Sequence, residues 1–212
     1  MCGKFTQLSS WRDVVAFSAP LREGDVVVAT PMAMAQIIRL DETGARESVP
    51  MRWGFARKGA PNPARPEHMH ARCETIDTRP TFADSFAKRR GILLVQTFNE
   101  GEELPSGRKK QWVITPKDGK PIGVAVIYEA WVNGDERLST FVQVTTPANA
   151  LIAKITDRML AILRPEDWPV WLGETPATLA QVKALLKPYD DGGAWEARPQ
   201  APKAGETPDL FS

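Results

Sequence analysis

Cys2 follows the initiating methionine directly, and a second residue this small allows the cell's aminopeptidase to remove Met1. The processed chain then begins with a cysteine whose α-amine, of pKa near ~7.7–8.0, neighbours a thiol near ~8.5, so both nucleophiles are partly available at neutral pH. Two nucleophiles on adjacent carbons form an aldehyde trap. The amine condenses with a carbonyl to an imine, the thiol adds to the imine carbon, and a five-membered thiazolidine closes. That closure is intramolecular and gains the high effective concentration of a tethered attacker. The same residue also admits a plainer reading, an inert thiol at a chain end.

A second set of reactive side chains lies mid-chain. On a strand, His68-x-His70 would place both imidazoles on one face, with Cys73 close by, a spacing that raises zinc. No fourth ligand or matching second pair follows, so neither a metal nor any other cofactor is expected, and Cys73 reads as a buried thiol. Charge is unevenly spread: net charge is +1, yet Arg52 to Arg90 holds nine Lys/Arg against four Asp/Glu, and Arg164 to the end five against eight. The overall balance gives no warrant for a polyanionic partner. The basic segment is either a phosphate-binding face or simply a solvated one.

The elements that must position these groups are mainly short strands. β-Branched and apolar runs at Val26–Ala29, Gln36–Leu40, Arg46–Trp53, Gly91–Phe98, Gln111–Thr115, Ile122–Tyr128 and Thr140–Thr145 alternate with turn signals such as Asp118-Gly119 and Asn133-Gly134. This predicts a mostly antiparallel sheet. Helices are fewer: Pro80–Arg90 carries Phe82 and Phe86 four residues apart behind an initiating proline, and Thr175–Lys187 repeats Leu179, Val182, Leu185 and Leu186 at helical spacing. No repeat or linker divides the chain.

With 212 residues, 42% of them apolar and 25% charged, the chain is an ordinary globular one, able to bury a core without disulfide staples. Two cysteines permit at most one bridge, and free thiols are expected. No apolar run approaches the roughly 20 residues that span a bilayer, and the N-terminus lacks the charged-then-apolar pattern of a signal peptide. The expected address is the cytoplasm, with no membrane partner.

Seven short motifs follow one another along the chain: Met1-Cys2-Gly3-Lys4-Phe5, Arg52-Trp53-Gly54-Phe55, Ala71-Arg72-x-Glu74-Thr75, Phe82-x-Asp84-x-Phe86, Phe98-Asn99-Glu100, Thr145-Thr146-x-Ala148-Asn149-Ala150-Leu151-Ile152 and Asp157-Arg158-Met159. In this order the sequence resembles the SRAP family, the SOS response-associated peptidase proteins that shield abasic sites in single-stranded DNA. The resemblance runs from Met1 to about Leu172. It implies a single α+β domain over residues 1–189, built around a barrel-like, mostly antiparallel sheet with a few flanking helices. It also implies a basic groove for single-stranded DNA with Cys2 at its floor. Residues 190–212, rich in Gly, Pro and Ala, are expected to form a flexible tail, and the chain is read as a monomer that joins the nucleoid when bound to DNA.

In that family the aldehyde is the ring-opened sugar of an abasic site, and the thiazolidine is a stable DNA–protein cross-link. Opening the closed sugar and expelling water from the carbinolamine both require proton transfer. Glu100 matches the family's glutamate and is the candidate proton shuttle. Two positions depart from the pattern: His70 stands where the family has asparagine, and Thr156 where it has histidine. Threonine orients a water or hydroxyl but exchanges no proton near neutral pH, whereas imidazole does. Either His70 takes over part of the missing proton transfer from the opposite wall, or the pocket is weakened.

The expected DNA contacts are Lys4, Trp53, Arg72 and Arg158. Lys4 replaces an arginine, keeping charge but losing the planar fork. Arg72 and Arg158 match family arginines beside the DNA backbone; the alternative is ion pairing with Glu74 or Asp157. Trp53 matches an aromatic near the DNA that could stack on a base, or it belongs to the core, as Trp112, Trp131, Trp168 and Trp171 are expected to. Gly101 removes aromatic bulk beside Glu100. Three functions follow: covalent capture of abasic single-stranded DNA through Cys2, with hydrolase, autoproteolytic and lyase labels attached to the family; non-covalent binding of single-stranded or damaged DNA; or amide hydrolysis by the N-terminal cysteine.

Overall fold

The computed structural model describes residues 3–8, 26–57, 59–60, 62–64, 66 and 68–201. Cys2 therefore lies outside the described residues. Strands β1 (Lys4–Leu8), β2 (Val26–Ala29), β3 (Met34–Leu40), β4 (Arg46–Trp53) and β5 (His70–Arg72) precede helix α1 (Pro80–Lys88). Then come β6 (Arg90–Val95), β7 (Thr97–Glu103), β8 (Lys109–Pro116), β9 (Ile122–Asn133) and β10 (Glu136–Pro147). A 3-10 turn at Ile152–Lys154 leads to β11 (Arg158–Leu160) and β12 (Ile162–Leu163), then α2 (Trp168–Leu172), α3 (Leu179–Ala184) and β13 (Trp195–Pro199).

Two sheets result. The smaller runs β13-β8-β7-β1-β2. In the larger, β10 pairs β4, β4 pairs β3, β3 pairs β6, β6 pairs β9, and β9 pairs back to β10, so the strands curl into a closed circuit. Short β5 and β11 attach to β10, and β12 to β9. Only β10–β4 and β10–β5 run parallel among these pairs; the rest are antiparallel. The domain is α+β with few helices, as the sequence implies.

Strand periodicity explains the layers. In β6, Leu93 and Val95 enter the core shared with the small sheet, while Ile92 and Leu94 enter the core beneath the helices; successive side chains point to opposite faces. A strand covered on both sides needs an almost continuous apolar run, and Arg-Gly-Ile-Leu-Leu-Val supplies it. Helix α1 starts behind Pro80 and buries Phe82 and Phe86. Thr178 and Gln181 form a reciprocal capping box that starts α3 later than the apolar spacing suggests.

Several sequence expectations need correction. The single run Gly91–Phe98 is two strands broken at Gln96, whose N–H donates to the Thr6 carbonyl at 2.7 Å and hands the chain from one sheet to the other. Residues 195–199 are not loose tail: β13 pairs with β8 over five residues, and Trp195 is 8% exposed beside Phe98. Residues 202–212 lie outside the described residues. Trp112 is half-buried on β8, its indole N–H donating to Glu102 and Lys110 lying over its ring. Trp131, Trp168 and Trp171 are buried, as expected. Among the described residues, no helix is long and apolar enough to cross a membrane.

Candidate active site

Gly3, bonded to Cys2, lines a cleft of about 660 Å³ together with His70, Gly101 and Thr156. Three separate elements supply those walls. β1 and β7 pair antiparallel with Lys4 opposite Asn99 and Phe5 opposite Phe98, and one further step of that register sets Gly3 opposite Glu100. His70 opens β5, and Thr156 follows the 3-10 turn. Glu103, Lys109 and Asp157 add charge at the rim. His70 and Thr156 both line this cleft with Gly3.

Glu100 lies just beneath. Phe98 and Glu100, two residues apart on β7, share one face, with Asn99 buried on the other, and Glu100 is only 1% exposed. A carboxyl group in that position, one residue from the Gly101 wall, is sequestered from bulk water, where electrostatic interactions with a neighbouring group are stronger. Gly101 itself has no side chain to obstruct this wall.

β5 is short, but its pairing fixes which way His70 looks. It runs parallel to β10 with His70 beside Gln143, Ala71 beside Val144 and Arg72 beside Thr145. Ala71 and Val144 enter the helix-side core, which sends His70 and Arg72 to the other face. There the His70 ring stands edge-on to Trp53, with centroids 5.9 Å apart and planes at 83°.

Trp53 is the clearest correction. It is fully buried, packs against Phe5, and donates its indole N–H to the Met69 carbonyl at 3.0 Å. No face of the ring can reach a base; its place is behind His70, as a wall. Trp53→Ala is expected to cost about 3–5 kcal/mol of stability, read from denaturant midpoints, which an exposed DNA-stacking residue would not do.

Arg158 is likewise committed within the protein. Its guanidinium makes a two-pronged ion pair with Glu74 and donates to the Thr145 carbonyl at 2.8 Å, the ion-pairing alternative to a phosphate contact. Hydrogen bonds from Arg158 hold the Glu74 carboxyl down to about 2. A folded-state value below the ordinary 4.5 means that this stabilisation is complete above about pH 4.5 and is lost as pH falls toward 2. The melting-temperature gap between the unmodified chain and Glu74→Gln is therefore expected to be constant from pH 8 to about 5 and to close below that, in a thermal melt series. Because Glu74 is half exposed, the gap should be small.

The remaining candidates scatter. Arg72 is exposed at the end of β5. Lys4, paired with Asn99, sits on the face of β1 opposite Phe5 and is not among the cleft residues. His68 and His70 do not share a strand face: His68 packs on Phe82 at 5.1 Å, beneath the helices, and His70 on Trp53. Cys73 is buried near Glu74 and Arg158, and burial raises its thiol pKa. Among the described residues no group of three His, Cys, Asp or Glu is placed to hold a metal ion.

Sequence reading missed Met69 and Lys109 as cleft residues, and nothing local marks either. Asn149 carries a more legible signal. Its side-chain oxygen accepts from the Ile152 N–H at 2.9 Å and its amide donates to the Tyr189 carbonyl, anchoring the turn that presents Thr156; an asparagine opening a turn is a recognisable device.

The family model described as SOS response associated peptidase (SRAP) matches residues 1–203. The abasic site processing protein YoqW of Bacillus subtilis is 29% identical over 197 residues, covering 90% of this chain and 88% of that protein. The abasic site processing protein YedK of Escherichia coli is 27% identical over 181 residues, 81% of this chain and 79% of that one. Crystal structures of a protein from Bacteroides thetaiotaomicron (TM-score 0.77, 24% identity, 93% of this chain and 91% of that one) and one from Bordetella bronchiseptica (TM-score 0.78, 22% identity, 94% and 100%) share the fold.

Proposed function

Since the chain belongs to the SOS response associated peptidase family, we propose that it processes abasic sites in single-stranded DNA by joining the opened sugar covalently to Cys2. The observation that carries this reading is the convergence of Gly3, His70 and Thr156 on one cleft. Once Met1 is removed, the N-terminal amine and thiol belong to the residue bonded to Gly3.

The reaction balances without a cofactor. The α-amine adds to the sugar aldehyde to give a carbinolamine; loss of water leaves an imine. The thiol sulfur then bonds to the imine carbon, its proton passing to nitrogen, and the ring closes. Glu100 donates the proton that carries off water and relays those needed to open the sugar. His70 supplies a second proton-transfer group in place of the histidine that Thr156 replaces, and Thr156 orients a hydroxyl or water.

Incubating demethionylated protein with a single-stranded oligonucleotide bearing one abasic site, then running a denaturing gel, tests the proposal. A shifted band that survives heat supports it. Retention only on a native gel, weakening with salt, would replace it with non-covalent binding. Thr156, which lines the cleft where the family has a histidine and exchanges no proton near neutral pH, favours that second reading.

A further inference from the structure

Gln143 is fully buried, yet neither its side-chain oxygen nor its nitrogen has a hydrogen-bond partner among the described residues. Buried amides are ordinarily paired, and an exception calls for a cause. Its surroundings narrow the choice. On its own strand, the neighbours that share its face are Phe141, which is apolar, and Thr145, whose hydroxyl already meets Arg158 at 3.2 Å. Across the antiparallel pairing stands Val126, also apolar. Across the parallel pairing stands His70. Directly paired residues project to the same face, and adjacent strands lie about 4.8 Å apart, so the carboxamide and the imidazole share one polar notch in an otherwise apolar layer.

We propose that Gln143 is a positioning residue for His70: its carboxamide reaches a ring nitrogen through one buried water and fixes which nitrogen carries the proton. This rests on the role given to His70 above and deepens it. A carboxamide offers both a donor and an acceptor, so it can hold either tautomer while the other nitrogen faces the cleft; Trp53 fixes the ring plane from the side. Such outer contacts commonly set the orientation and basicity of a histidine. The buried amide thus has a reason to sit where an aliphatic side chain would pack more simply.

The test uses the full chain, which contains only two histidines, so ¹⁵N spectra of the imidazoles are easily assigned. In the unmodified protein, without DNA, a nuclear Overhauser contact between the Gln143 amide protons, or a water held by them, and the His70 ring is expected; its absence overturns the proposal and needs no variant. Gln143→Met keeps the volume and removes the amide. It is expected to move the His70 ring nitrogens to a different tautomer mixture. At saturating abasic oligonucleotide, cross-linking should slow about tenfold, with oligonucleotide affinity within twofold. In a His70→Ala background the same substitution should have no further effect on rate. Unchanged ring signals, or equal slowing in both backgrounds, would show an ordinary packing role instead. If no cross-link forms even with the unmodified chain, the proposed function fails, while the spectra still decide the Gln143 link.

Discussion

Cys2→Ser is expected to lower the yield of heat-stable cross-link at least about a hundredfold while leaving oligonucleotide affinity unchanged. The α-amine is still present in this variant and still forms an imine. The hydroxyl, however, is a far weaker nucleophile than a thiol with an appreciable thiolate fraction near neutral pH. Without ring closure the imine hydrolyses back to aldehyde and amine. Borohydride separates the two halves of the mechanism: reduction of the imine should restore a cross-link in Cys2→Ser and should not be needed by the unmodified chain. Denaturing gels run with and without reductant read both effects. Equal yields without reductant would remove the thiol from the chemistry.

Glu100→Gln should have the second largest effect. The exchange is nearly isosteric and the side chain is 1% exposed, so the main change is the loss of a group that can give and take a proton. General acid–base catalysis contributes typically about 10²–10⁴-fold, and the rate of cross-link formation at saturating oligonucleotide should fall within that range. Folding should survive, because the exchange leaves the volume of the side chain nearly unchanged. A rate within twofold of the unmodified chain, with the fold intact, would make Glu100 a structural residue.

Local pattern in the sequence carries information only about neighbours, and the success of its reading follows that limit. β4 was legible to the residue because Arg46–Trp53 follows the turn residues Asp41–Gly44 and carries Val49, Met51 and Trp53 at alternate positions. The two-residue hairpin at Gly134-Asp135, with Gly134 at φ +58°, was signalled by Asn-Gly. By contrast β5 is three residues long and β12 two, too short to show any period; each exists because a long strand beside it has hydrogen bonds to offer. β13 was hidden for a different reason: a tail rich in Gly and Pro reads as loose, and only the edge of β8 makes it a strand.

The site divides in the same way. Cys2, Glu100, His70 and Thr156 could be chosen from residue chemistry and the order of motifs, and the cleft brings His70 and Thr156 together at Gly3. Burial and pairing could not be chosen that way. Whether Trp53 faces DNA or the core depends on which sheet covers it, and whether Arg158 meets a phosphate or Glu74 depends on two segments 84 residues apart. Gln143 carries no motif at all; its interest comes only from its position beside His70.

One determination bears on the central claim more directly than any variant. The cross-linked complex, formed without reductant, is digested with nuclease and protease, and the peptide holding the sugar remnant is sequenced by mass spectrometry. The account predicts a remnant on the first residue of a chain that begins at Cys2, at the mass of the aldehyde joined with loss of one water. A remnant on a lysine, or no adduct on a chain whose Met1 is gone, would contradict it.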